Sequence, residues 1–160
     1  MMKKRVSGLF VVVLAIFALV LTGCQKNEAK EDRAEAAIDW QMISPEKMKE
    51  VLENDNPSDY QIIDIQPKSD YAKGHLPHSI SVPAYPVDTE ELERLVVDSA
   101  DQFKDSDNPI YVVCPGGGGG AKRTISLLID EGIDKSRLFI IENGAKKWPY
   151  KDDSKLWVTE

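Results

Sequence analysis

The sequence predicts an α/β fold, a mainly parallel central sheet flanked by helices. Two observations predict it. Residues 60–65 (Tyr-Gln-Ile-Ile-Asp-Ile), 110–113 (Ile-Tyr-Val-Val) and 137–141 (Arg-Leu-Phe-Ile-Ile) are nearly continuous apolar runs of strand length, as expected of strands buried on both faces. Between them lie segments whose apolar residues recur at helical spacing, and such alternation of strand and helix is the pattern of a parallel sheet.

The elements follow in order. Residues 40–43 are a short apolar start, an edge strand. Ser44-Pro45-Glu46 opens a helix, with Ser44 as N-cap and proline in the first helical position. Met48, Val51 and Leu52 give its apolar stripe, which ends near Asn54. The 60–65 strand is followed by a helical turn at 69–73, stopped by Gly74. Residues 79–83 form another short strand. Asp88 is expected to cap the next helix, with Glu91 reaching back as its capping-box partner. Leu92, Leu95 and Val96 would face the core, with Phe103 beyond. After the 110–113 strand, Ala121, Thr124, Ile125, Leu128 and Ile129 mark a helix closed by Gly132. The last strand, 137–141, leads to an Asn143-Gly144 turn and a short helix ending at Trp148, before Pro149. No internal repeat is present.

The chain has 160 residues, 42% of them hydrophobic, and a formal net charge of −7, which fits one ordinary domain with a terminal extension. That extension reads as an export signal. Lys3, Lys4 and Arg5 precede an apolar run from Val6 to Leu21 of about 16 residues, short of the ~20 a membrane span needs. The run ends in Leu21-Thr22-Gly23-Cys24, which resembles the lipobox of bacterial lipoproteins. The resemblance implies cleavage before Cys24 and lipidation of its thiol. Residues 1–23 are then a cleaved signal peptide, 24–38 a lipidated cysteine and flexible charged tether, and 39–160 the folded domain. Several acyl chains would hold the protein stably on a cell membrane, facing the extracytoplasmic side. Three basic residues and no acidic one precede Cys24, so the remainder carries 17 basic against 27 acidic residues, a charge of −10. Such a chain is tethered to an anionic bilayer without adsorbing to it, and nucleic acid is not its partner.

Chemistry concentrates at Cys114. The thiol closes the 110–113 strand and opens Cys114-Pro115 and the run Gly116, Gly117, Gly118, Gly119, Gly120. Strand, glycine loop and helix aim backbone N–H groups at one point, where a negative sulfur would be stabilised. A five-glycine run costs backbone entropy and buries nothing, which argues against a merely structural cysteine. In open parallel sheets ligands bind beyond the carboxyl ends of the strands. The two such ends that stand out are Cys114 with its loop, and Asp64-Ile65-Gln66. The two cysteines and two histidines lack metal-site spacing, and no cofactor is implied.

These residues together resemble the rhodanese family of sulfurtransferase-like domains, over roughly residues 40–155. Ile62-Ile63-Asp64-Ile65-Gln66-Pro67 resembles the family's first strand and its Asp-x-Arg end. Residues 70–80, Asp-Tyr-Ala-Lys-Gly-His-Leu-Pro-His-Ser-Ile, resemble its Tyr-x-x-Gly-His-Ile-Pro-Gly-Ala segment. Cys114 to Gly119 fills the six-residue active loop, and Asn143-Gly144 with Trp148 resembles the closing Gly-Gly and Trp. The resemblance implies that Cys114 accepts a sulfane sulfur, holds it as a persulfide and yields it to a thiol or other nucleophile. The amides of Gly116 to Gly120 would stabilise thiolate and persulfide without any side chain.

This chain departs from the family where thiosulfate-using members carry arginine. Pro115 and Gly119 stand at two such positions in the loop, and Gln66 at the third. Asp64, Gln66, Lys122 and Arg123 remain as candidates for substrate binding, the last two from the first turn of the following helix. Polysulfide or a protein persulfide is therefore expected as donor before thiosulfate. A catalytically inactive rhodanese-like binding module is the alternative. A phosphatase would need an arginine to clamp phosphate where Gly119 and Gly120 stand. Asp64 and His75 also read as structural residues, and Trp148 and Trp157 as packing.

Overall fold

The structure, a computed structural model, describes residues 38–160. The signal segment, Cys24 and nearly all of the tether expected from the sequence lie outside the described residues. Five strands form one parallel sheet: β1 (Met42–Ile43), β2 (Gln61–Asp64), β3 (Ser79–Ser81), β4 (Ile110–Val113) and β5 (Leu138–Ile141). Their order is β1-β5-β4-β2-β3. The helices are α1 (Pro45–Asn54), α2 (Lys68–Lys73), α3 (Glu90–Ser99) and α4 (Gly119–Asp130). Among the described residues no helix is long and apolar enough to cross a membrane.

Both faces of the sheet are covered, which is why its strands read as unbroken apolar runs. On one face Ile63, Ile110 and Val112 pack with Val96 of α3 and with Ala121, Ile125 and Leu128 of α4. On the other, Ile62, Tyr111 and Val113 pack with Met48 of α1 and with Trp148. Alternate residues of each strand thus serve opposite layers. Beyond Pro149 the chain returns to α2: His75 and Val158 exchange backbone hydrogen bonds of 2.9 Å each, and Glu160 N–H donates to the Ala72 carbonyl at 3.2 Å.

Ser44 caps α1 as expected, its side chain accepting from Lys47 N–H. Gly74 ends α2, and Gly132, at φ +92°, closes α4. Two expectations are corrected. Thr89, not Asp88, caps α3: its Oγ1 accepts from Leu92 N–H at 3.3 Å. The preceding Val87 sits at φ +66° with its N–H bonded to the Ala84 carbonyl at 2.7 Å. That turn ends late enough to make Asp88 a linker residue, and Glu91 then stands at N2, outside a capping box. The buried stripe shifts with the cap, so Val96, Ser99, Ala100 and Phe103 are buried while Leu95 is 41% exposed. The helix after Cys114 also begins earlier than expected, at Gly119, so the last two glycines of the run form its first turn.

Candidate active site

Cys114 leaves the carboxyl end of the central strand β4 and is 1% exposed. Its Sγ accepts the N–H of Gly117 at 3.0 Å. This closes a loop of backbone over the sulfur, and an amide hydrogen aimed at sulfur stabilises negative charge there. Gly117 takes φ +68°, and a Cβ there would come within 2.7 Å of the Asn143 nitrogen and 2.9 Å of the Ile141 carbonyl. Only glycine meets both demands.

The turn after β5 clamps the loop from outside. Ala145 N–H donates to the Cys114 carbonyl at 2.9 Å and Lys146 N–H to the Pro115 carbonyl at 3.0 Å. The approach is so close that a Cβ on Gly144 would collide with the Cys114 carbonyl oxygen and lie 2.8 Å from the Gly116 nitrogen. Gly116, Gly118 and Gly119 behave differently, since a Cβ at any of them would meet nothing within 4 Å. These three leave open space at the loop. Gly120 is buried against the Tyr85–Pro86 segment, 3.0 Å from the Tyr85 ring to a Cβ placed there, and its carbonyl accepts the Thr124 hydroxyl at 2.9 Å. The site is therefore a main-chain cradle. Of the five expected amides, that of Gly117 reaches the sulfur; those of Gly119 and Gly120 belong to the start of α4.

The other candidates make contacts with groups other than the Cys114 thiol. Asp64 is paired in register with Val113 and shares the face of Ile62, whereas Cys114 packs in the opposite layer. Asp64 is fully buried. Gln66 holds it, donating its N–H to Oδ1 at 2.9 Å and Nε2–H to Oδ2 at 3.0 Å, with a further bond from Nε2 to the Gly74 carbonyl at 3.2 Å. Burial pushes its carboxyl up to about 7, and the two bonds from Gln66 pull against that rise. Where the family's strand ends in Asp-x-Arg, this chain has Asp64 and a neutral amide at Gln66. Arg123 turns to α3, with Nε at 2.7 Å and Nη2 at 2.6 Å from Glu93 Oε1. Lys122 Nζ lies 5.6 Å from the centroid of the Trp40 ring. His75 stacks on Tyr71 at 3.7 Å, with Nδ1 2.8 Å from the Tyr71 carbonyl, and Trp157 covers Gly74.

Sequence reasoning missed two groups near the loop. Tyr85, 38% exposed, flanks the start of α4. Lys146 and Lys147, both exposed, stand on the turn that clamps Pro115. The available signal was their position just past the carboxyl end of β5, but only the strand order shows that β5 neighbours β4.

The family model described as the rhodanese-like domain matches residues 44–150. No curated protein matches the chain. Among solved structures, the rhodanese-like domain of an Anabaena protein shares 20% identity at a TM-score of 0.55, covering 77% of this chain and 81% of that one. An As-Sb reductase from Leishmania major shares 21% identity at a TM-score of 0.55, covering 71% and 81%. A yeast protein tyrosine phosphatase of the rhodanese family shares 17% at a TM-score of 0.52, covering 76% and 93%. Identities this low establish a common fold and not a common reaction. With the match over 107 of 160 residues and a five-stranded parallel sheet presenting a cysteine loop at its carboxyl edge, the chain belongs to the rhodanese-like domain family.

Proposed function

We propose that this protein is a sulfurtransferase or persulfide carrier, tethered through lipidated Cys24 to the extracytoplasmic side of the cell membrane. Cys114 is the sulfur-accepting nucleophile. The thiolate Sγ attacks a terminal sulfur of a polysulfide, an Sγ–S bond forms, and the adjacent S–S bond breaks. Its electron pair leaves with the shortened polysulfide. An acceptor thiolate then attacks the outer sulfur, and the pair of that S–S bond returns to Sγ, so no external oxidant or reductant is required. The observation that carries this reading is the Gly117 N–H held 3.0 Å from Sγ, in a loop whose Gly116, Gly118 and Gly119 have open space beside them. Thiosulfate is disfavoured because its leaving group is a sulfite dianion, which calls for a bidentate cation, while Pro115, Gly119 and Gln66 provide none.

Intact-mass spectrometry tests this on the full chain in nonionic detergent, with Cys24→Ser so that Cys114 is the sole thiol. Polysulfide should add one sulfur atom, which cyanide removes, and thiosulfate should load at least about tenfold more slowly. Cys24→Ser/Cys114→Ser should gain nothing. A thiol that no donor loads would sink the carrier and favour the second reading, a non-catalytic binding module. The near-complete burial of Cys114 speaks for that second reading.

A further inference from the structure

We propose that Lys146 and Lys147 supply the positive field at the Cys114 loop, so that the site favours anionic over neutral sulfur donors. The proposal deepens the sulfur-carrier reading and draws its biological sense from it. The family's loop cations are replaced here, and the two basic residues that follow the loop point elsewhere: Arg123 to Glu93 and Lys122 to Trp40. The turn Ala145–Lys147 instead brings two adjacent ammonium-bearing residues to the loop from the neighbouring strand. Lys146 N–H bonds directly to the Pro115 carbonyl at 3.0 Å, and Ala145 N–H to that of Cys114 at 2.9 Å. Both lysines are exposed. Among the described residues no carboxylate pairs with either.

Charge at this position matters more because the rest of the molecule opposes it. A net charge of −7 in the full chain, −10 without residues 1–23, repels a polysulfide dianion, and a local basic rim reverses the sign where encounter occurs. The screening length of about 8 Å at physiological salt spans the gap between a turn and a loop whose backbones touch. Lysine suits this role because its ammonium is a point charge on a flexible stem. It attracts an anion without imposing the planar, two-pronged geometry that arginine gives a sulfonate. A polysulfide, with charge at both ends of a polarisable chain, needs attraction and has no sulfonate to clamp. One end is consumed at Sγ while the other is drawn toward the lysines.

A pair of alkylating reagents of nearly equal shape reads this field on the thiol alone. Iodoacetate carries a negative charge and iodoacetamide none. With each, Sγ displaces iodide and forms one S–C bond. In the full chain carrying Cys24→Ser, the ratio of iodoacetate to iodoacetamide rates should fall as salt rises. Lys146→Gln/Lys147→Gln should lower that ratio about five- to tenfold at low salt and flatten its salt dependence. Its iodoacetamide rate should fall less than its iodoacetate rate, since loss of the field lowers the thiolate fraction for both reagents alike and the ratio cancels that effect; an unchanged thermal midpoint reports an intact fold. Lys146→Arg/Lys147→Arg should restore the ratio. Polysulfide loading should slow in parallel in the glutamine variant. A ratio unmoved by removing both charges overturns the proposal. A ratio that falls while wild-type Cys114 accepts no sulfur supports the lysine assignment and overturns sulfur transfer instead.

Discussion

Asp64 places a buried carboxyl beside a neutral amide. Among the described residues no cation pairs with it, so its ionised form rests on the two hydrogen bonds from Gln66, and burial outweighs them, raising its carboxyl to about 7. A carboxyl raised above its unfolded value of about 3.9 binds more protons folded than unfolded. Its contribution to stability is fully present below about pH 4 and is lost as pH rises through about 7. The wild-type protein should therefore lose stability across that window, by at most about 1.4 kcal/mol per pH unit from this group. Asp64→Asn keeps the shape and the acceptor for Gln66 N–H but does not titrate. Urea denaturation between pH 4.5 and 8 should show the variant gaining on wild type as pH rises; parallel curves would remove Asp64 as the source. The sequence made Asp64 visible as a strand-end acid. Its protonation was not legible, because that depends on complete burial and on which residue stands two positions later.

At the scale of elements, the glycines around Cys114 divide into two kinds. Gly117 and Gly144 are required where two turns meet. Gly144 adds φ +60° and ψ −168°, a region that residues with a side chain avoid. Gly144→Ala should cost at least about 3 kcal/mol from strain and collision together and should abolish persulfide formation. Gly119, in the first turn of α4 with open space beside it, should accept alanine with an unchanged or raised melting temperature, since alanine favours helix by up to about 1 kcal/mol. Thermal unfolding of the two variants checks both halves, and equal damage from the two would contradict the clamped-loop geometry. Local pattern made the elements themselves legible: Ser44-Pro45 for α1, Gly74 and Gly132 as stops. The cap of α3 slipped by one residue because the left-handed Val87 delays the helix start, and nothing in Asp88-Thr89-Glu90-Glu91 announces that.

For the whole molecule, continuous apolar runs disclosed a sheet covered on both sides, and the cysteine loop fell at a strand's carboxyl end as such sheets require. The lysine turn was hidden for a reason of topology. It lies about 30 residues from the loop in sequence and becomes its neighbour only because β5 is inserted between β1 and β4. The family match stops at Tyr150, but the fold does not. Leu156 is buried, Trp157 covers Gly74, Val158 pairs with His75, and Glu160 N–H reaches Ala72. Deleting residues 156–160 should cost about 2–5 kcal/mol, read as a lowered denaturation midpoint; an unchanged midpoint would show the tail to be ornamental. Slack segments are where proteases ordinarily cut. A stretch stitched by its backbone to Ala72 and His75 offers a protease little loose peptide to thread, so residues 156–160 guard themselves against nicking.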